Sequence, residues 1–341
     1  MKIFAWTTAE PVDASYQYRI KAPLVEIAHH GLASVTIGAS LSDDLEADVL
    51  INHHLSHPDY VAHWARHAGR SLLVLEHDDD YVNMRSDHPT FQNRMSWSDY
   101  QAFGRDSVIH ALQVADLITV SMPHLAEVYR QHTDTPITVL PNTVDEVLFQ
   151  VPQRVRQPGE QLIVGWGGTN THGRDWAHCG SGVKYGLTKA SAKMVMMGAD
   201  FRPQLGYRDT EFVPWTNEIN EYYLTIHGWH VLIAPLTDEL WSRSKSPLKA
   251  LEAAALGVPA VVGDATPYRD FVVHGETGFL CRTDDDWMKA IRALGADEEM
   301  RQEMGRRARE RARAFITSEW APRWATTYSD ALARKQARLS V

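Results

Sequence analysis

Trp241-Ser242-Arg243-Ser244-Lys245-Ser246-Pro247-Leu248-Lys249-Ala250-Leu251-Glu252-Ala253-Ala254-Ala255-Leu256-Gly257-Val258-Pro259 reads as a polar loop feeding a helix that stops sharply. Pro247 suits the first helical position, where a missing N–H costs nothing. Ser246 sits where an N-cap belongs, and Gly257 followed by Pro259 ends the run. The expected helix is therefore 247–256. A helix N-terminus presents backbone N–H groups and the positive end of the dipole, so it favours an anion. Arg243 and Lys245 add positive charge just before that end, and together these features describe a diphosphate site. Glu252 lies roughly a turn and a half further along, placed to accept hydrogen bonds from ribose hydroxyls. The plainer alternative is a surface helix whose Lys249 and Glu252 form a weak i,i+3 pair.

On either side, short apolar runs alternate with helical patterns. Strands are expected at Lys2–Trp6, Val35–Ile37, Val49–Asn52, Leu72–Glu76, Leu117–Ser121 and Ile137–Leu140, with helices at Ala14–His30, Tyr60–His67, Ser107–Ala115 and Pro123–Gln131. A Pro- and Gly-containing break at Phe149–Gln161 reads as a linker. The alternation restarts with strands at Leu162–Trp166, Lys193–Met197, His230–Ala234 and Ala260–Val262, and the stretch Asp286–Lys335 is mostly helical. Strand–helix alternation predicts parallel sheets covered on both faces, with sites beyond the carboxyl ends of the strands. The expected division is 1–150, a linker at 151–161, 162–316, and a C-terminal helix at 317–341.

The bulk numbers narrow the function classes. A length of 341 residues suits two α/β domains better than one. The net charge of −9 argues against a dedicated duplex binder. No apolar run reaches the ~18 residues of a membrane span, so no stable membrane insertion is expected. The start of the chain turns polar too soon for a signal peptide. The two cysteines, Cys179 and Cys281, form neither a disulfide framework nor a metal pattern, and a cytoplasmic setting follows as the expectation. Arg306, Arg307, Arg309, Arg311 and Arg313 read first as a solvated helix face, with an acceptor or membrane-surface patch as the alternative.

Two further segments carry candidate chemistry. Ile163-Val164-Gly165-Trp166-Gly167-Gly168-Thr169-Asn170-Thr171-His172 is a strand running into a glycine-rich turn that lets backbone approach a ligand. The dinucleotide fingerprint fails there, because its third glycine falls on Asn170. Glu76-His77-Asp78-Asp79-Asp80 closes a strand. Its carboxylates fit a metal, acceptor contact or structural capping.

The 241–259 stretch, continued by Val258–Asp264, Pro267-Tyr268-Arg269 and His274–Leu280, resembles the donor-site signature of family-4 glycosyltransferases, a retaining family with the GT-B fold. It is closest to the subgroup reading Lys-Ser-Pro-Leu-Lys before the helix glutamate. The family's usual motif has two glutamates. Glu252 takes the second position here and Ser244 stands at the first. The glycine-rich segment resembles the same subgroup's Gly-Gly-Ser/Thr-x-Thr-His loop. Tyr18-Arg19 with Pro23, and Leu140-Pro141-Asn142-Thr143-Val144-Asp145 with Phe149, resemble its N-terminal half.

The resemblance implies two Rossmann-like domains facing across a cleft, the C-terminal helix packing back on the N-terminal one. It implies transfer of a sugar from a UDP- or GDP-linked donor to an acceptor hydroxyl with retention. Lys245, Arg243, His77 and Asp78 are then the catalytic candidates. Gly167, Gly168, Thr169, His172, Ser246, Pro247, Leu248 and Glu252 are the donor-binding ones. The nucleotide sugar is a co-substrate, no cofactor is expected, and cationic side chains take the place of a divalent metal. The acceptor stays open among glycan, protein, small molecule and modified DNA base. Other readings are a non-catalytic nucleotide-sugar binder and a DNA-base glycosyltransferase. An epimerase of the same double-domain fold is disfavoured by the Lys-Ser-Pro-Leu-Lys run.

Overall fold

The computed structural model describes residues 1–7, 14–53, 56–88, 91 and 95–340. The chain divides into two compact units. One comprises Met1–Asp145, Ser244–Ser246 and Phe315–Val341, the other Glu146–Arg243 and Pro247–Ala314. In the first, β1 (Lys2–Trp6), α1 (Ala22–His29), β2 (Ser34–Gly38), β3 (Val49–His53), α2 (Pro58–Ala65), β4 (Leu72–His77), α3 (Arg105–Val114), β5 (Leu117–Val120), α4 (Pro123–Arg130) and β6 (Ile137–Val139) follow one another. The six strands form one parallel sheet in the order β2-β1-β3-β4-β5-β6. Every residue of β3, β4 and β5 is buried, as apolar strands between two helical layers must be.

The second unit repeats the plan with β7 (Ile163–Gly168), α5 (Gly173–Lys189), β8 (Lys193–Gly198), β9 (Thr210–Val213), α6 (Ile219–His227), β10 (Val231–Ala234), α7 (Leu248–Ala255), β11 (Ala260–Gly263), β12 (Gly278–Cys281), α8 (Asp284–Ala296) and α9 (Glu298–Ala312). Its sheet is also parallel, ordered β12-β11-β10-β7-β8-β9. Gly257, just past the end of α7, has φ +74°, a conformation that an L side chain resists. The last helix, α10 (Thr317–Leu339), buries Ala321, Trp324, Ala325, Tyr328 and Ala331 with Ile20, Leu24 and Ile27 in the core of the first unit. Their i, i+3, i+4, i+7 spacing makes one apolar stripe. Near its end, Lys335 donates to Asp116 at 2.6 Å and to the Ser71 carbonyl at 2.8 Å.

Some local expectations change. The helix expected at 14–30 begins as a π-helix over Tyr16–Lys21 before α1. Pro23 has no N–H to return to the Arg19 carbonyl, and the Ala22 N–H reaches Gln17 instead. Ser246 is not the N-cap of α7. Pro247 holds that place, with no side-chain cap, and the helix starts at Leu248. The Ser246 hydroxyl is turned to Asn142, accepting from its amide at 2.8 Å. Gly167 and Gly168 end strand β7 rather than forming a turn after it. β9 and β12 are additional to the strands read from sequence.

A buried ion pair organises the first unit. Arg19 and Glu76 are both sealed from solvent, with Nη2 2.6 Å and Nε 2.7 Å from Glu76 Oε1. The guanidinium also donates to the Leu140 carbonyl at 2.5 Å and to Asn142 Oδ1 at 3.0 Å. It lies 4.8 Å from the centre of the Trp324 ring. Thr119 donates to the other Glu76 oxygen at 2.5 Å. Burial pushes Glu76 up to about 7, against the pull of Arg19 and Thr119. Arg19→Met leaves that carboxylate unpaired and is expected to cost about 3–5 kcal/mol, whereas Arg19→Met with Glu76→Leu costs less because no lone charge remains. Urea unfolding of both variants checks this. Equal losses would show that the pair acts only through packing.

Candidate functional site

In the second sheet the chain leaves β7 in one direction through β8 and β9, and returns on the other side through β10, β11 and β12. The paired strands β7 and β10 therefore flank the topological switch point, where open parallel sheets bind ligands beyond their carboxyl ends. Gly168 closes β7 there. Thr169 follows, then a 3-10 turn over Asn170–His172 leads into α5. Thr169 and Thr171 share a hydroxyl–hydroxyl bond of 3.0 Å.

His172 is buried, its ring 5.9 Å edge-on from Trp166. Its Nδ1 lies 2.8 Å from Asp175 Oδ2. The other Asp175 oxygen accepts from the Thr237 N–H at 2.8 Å and hydroxyl at 3.0 Å. Thr237 lies just beyond β10, so Asp175 braces His172 across the switch point.

The start of α7 comes to the same place. A Cβ added at Gly168 would lie 3.3 Å from Lys249 Cε, and one at Gly167 would lie 3.6 Å from the Tyr222 ring. Tyr222 donates its hydroxyl to Glu252 at 2.7 Å. Burial, then the nearby Glu252 carboxylate, drive the Tyr222 phenol well above its ordinary range. Gly167, Gly168, Lys249, Tyr222 and Glu252 thus form one neighbourhood. Pro247 and Leu248 open the helix beside it, half-buried. Glu252 itself is only 2% exposed. Arg243 ends a short helix and donates to Asp238 at 3.3 Å. Asp238 also accepts from the Thr266 N–H and hydroxyl and from Arg269.

The remaining candidates lie in the first unit. His77 ends β4 fully buried, with Nδ1 2.9 Å from the Tyr129 hydroxyl. Tyr129 gives its single proton to the Asp79 carbonyl, so His77 Nδ1 is the donor of the pair. Asp78 accepts from Ser15 at 2.5 Å and from Tyr81 at 3.3 Å. Asp79 is 3.5 Å from Lys245 Nζ. Asp80 uses both oxygens within its own turn, on the Val82 and Asn83 N–H groups and the Asn83 amide. Burial and the charge of Lys245 push His88 down to about 4. Ser244 is completely buried, and its hydroxyl has no hydrogen-bond partner among the described residues. A glutamate here would carry its charge into a desolvated position, a physical reason for the small neutral residue.

The arginine stretch is engaged within the chain. Arg306 and Arg307 pair with Glu303, Arg309 donates to the Leu148 and Val151 carbonyls, and Arg311 to the Asp270 carbonyl. Asp175 and Tyr222 are not among the residues expected from sequence. His172-x-x-Asp175 has the i,i+3 spacing of neighbours on one helical turn and was a usable signal. Nothing in the pattern around Tyr222 marks it, because thirty residues separate it from Glu252.

Residues 204–311, about a third of the chain, match the family model described as Glycosyl transferases group 1. The glycine-rich segment and the whole first unit before the 244–246 turn lie outside that match. N-acetyl-alpha-D-glucosaminyl L-malate synthase of Bacillus anthracis is 35% identical over 88 residues, 25% of this chain. The chain covers 23% of that relative's length. Among solved structures, sucrose-phosphate synthase from Thermosynechococcus elongatus superposes with TM-score 0.68, covering 98% of this chain and all of that one at 14% identity. Anabaena Alr3699/HepE in complex with UDP-glucose also gives TM-score 0.68, over 97% of this chain and 100% of that one, at 14% identity. The fold is GT-B, with a Rossmann-like sheet in each unit. Among the described residues no helix is long and apolar enough to cross a membrane.

Burial opposes the Asp175 charge, but hydrogen bonds from His172 and Thr237 outweigh it and hold the carboxyl below its usual range. A depressed folded-state pKa contributes stability that is present above the unfolded value and lost as pH falls through the folded one. Asp175→Asn is therefore expected to lower stability at pH 7, and the gap to wild type to narrow below about pH 4. Urea titrations at pH 7 and pH 3 measure both. A gap independent of pH would remove the ionised brace.

Proposed function

We propose that this protein is a glycosyltransferase that moves a sugar from a UDP-sugar to an acceptor hydroxyl with retention at the anomeric carbon. The observation that carries the reading is the convergence at the β7/β10 switch point. A glycine-ended strand, the Thr169–His172 turn and the first turn of α7 meet there, and α7 lies within the segment matching the glycosyltransferase family. The diphosphate sits at the N-terminus of α7, against the Gly167-Gly168 backbone, where N–H groups and the helix dipole favour negative charge. Lys245 and Arg243, on the loop entering α7, add positive charge without a divalent metal. Glu252, oriented by Tyr222, meets the ribose. His172, held by Asp175, and Thr169 meet the sugar or its phosphate. UDP as the carrier is supported by the Anabaena neighbour, which holds UDP-glucose. Two free, buried thiols suit a reducing, cytoplasmic setting.

In the reaction the bond from the anomeric carbon to the diphosphate oxygen breaks, and the acceptor oxygen bonds to that carbon on the same face. The acceptor proton passes to the departing phosphate oxygen. Negative charge grows on the leaving diphosphate, so cations and N–H groups preorganised there lower the barrier. His77 and Asp78 are the acceptor-side candidates of the first unit. The buried Ser244 in place of the first motif glutamate favours a second reading, a nucleotide-sugar binder without turnover. UDP release in the presence of donor and acceptor separates the two.

Lys245→Ala is expected to lower kcat by about 10²–10³, the loss typical of removing one donor to developing charge, with the thermal stabilisation by UDP-glucose also reduced. Coupled UDP-release kinetics and melting curves measure the two effects. A variant as active and as well stabilised as wild type refutes the diphosphate assignment.

A further inference from the structure

We propose that Asp43, His63 and His67 form a binding site for one transition-metal dication of the zinc class, apart from the sugar-transfer residues. Among the described residues this is the group of His, Cys, Asp and Glu side chains whose ligand atoms converge, all within 4.8 Å of one another. Histidines four apart project from one side of a helical turn, and here they follow the last turn of α2 into the turn after it. His63 Nε2 lies 3.3 Å from Asp43 Oδ1. Two ligands on a tetrahedral zinc, with bonds of about 2.0–2.1 Å, stand roughly 3.3–3.5 Å apart. That pair already has the edge length of a coordination tetrahedron.

His67 supplies the independent observation. His67 is 0% exposed, and neither ring nitrogen has a hydrogen-bond partner among the described residues. Buried polar atoms are normally satisfied, and an ion between the two imidazoles and the carboxylate satisfies one of them. Two imidazoles and one carboxylate select a borderline transition metal over magnesium or calcium, which prefer all-oxygen shells. Three protein ligands leave a fourth position for water. The Asp43 and His63 side chains are 69% and 27% exposed, so the ion enters from solvent on their side.

Two guanidiniums border the site. Arg66 Nη2 is 3.1 Å from the same Asp43 oxygen, and Arg70 donates to the Asp43 carbonyl at 2.7 Å. The Arg66 contact is an exposed pair, the kind that contributes little, and its side chain swings outward when the ion takes the carboxylate. The His63 side is fixed by Trp6, whose ring lies 5.7 Å edge-on from it and whose indole N–H donates to the Ala39 carbonyl at 3.1 Å. A bound ion ties the segment after β2 to the end of α2.

The test is calorimetric titration of the full chain, stripped with a chelator, with zinc chloride, together with melting curves. One zinc per chain is expected, with a raised melting temperature. His63→Ala and Asp43→Ala should each weaken binding at least about tenfold, the loss seen when even a supporting partner of a ligand is removed, and abolish the thermal shift. Both residues are partly exposed, and circular dichroism confirms that the variants fold. Cobalt gives a second readout, its tetrahedral visible band appearing in wild type and lost in both variants. Absence of stoichiometric zinc binding, or binding and melting shifts that survive both substitutions, overturns the site.

Discussion

One guanidinium holds the first unit together. Arg19 touches Glu76 from β4, the Leu140 carbonyl and Asn142 after β6, and the face of Trp324 from the C-terminal helix. A charge sealed from water is tolerable only when paired and fully hydrogen-bonded, so each of these segments is constrained by the need to satisfy it. The constraint passes outward. Asn142, held by Arg19 through its oxygen, gives its amide to Ser246. That bond occupies the Ser246 hydroxyl, and the N-cap of α7 is Pro247, without a side-chain cap.

The second unit is governed by sheet topology rather than by a buried charge. Because β7 lies between strands reached in opposite chain directions, the carboxyl ends of β7 and β10 mark the switch point at which open parallel sheets bind ligands. His172, Asp175 and Thr237 form a hydrogen-bonded brace there, and Gly168 lets the Lys249 side chain approach the β7 backbone. Glu252 is held by Tyr222 in a nearly dry environment, where a hydrogen bond is stronger than it is in water. Side chains held in this way are already ordered, so little conformational entropy remains for them to lose.

The Asp-rich turn after β4 shows how one sequence feature divides into separate jobs. Asp80 is a turn-former that accepts from the Val82 and Asn83 N–H groups, Asp79 faces Lys245, and Asp78 accepts from Ser15 and Tyr81. Consecutive carboxylates in a strand-to-helix connection point in different directions, and three in a row do not by themselves converge on one ion. The His63/His67/Asp43 group converges because helical spacing aligns the two rings and a loop distant in sequence brings the carboxylate.

The sequence alone determined the fold class, because apolar runs of strand length alternating with helix-length amphipathic stretches admit few arrangements other than parallel sheets wrapped by helices. It also determined the centres of ten of the strands and the stop of α7 at Gly257, where local backbone chemistry decides the outcome. Strand β9, with mixed polar residues, and β12, inside a glycine-rich motif, carry too weak a period to be read. The tertiary structure decided what depends on contacts between distant residues. Examples are Asp175 as the brace of His172, Tyr222 as the partner of Glu252, Ser246 turned from the helix to Asn142, and the burial of Ser244. Hydrogen-bond partners are chosen by proximity in space, and a chain's local pattern contains no term for that.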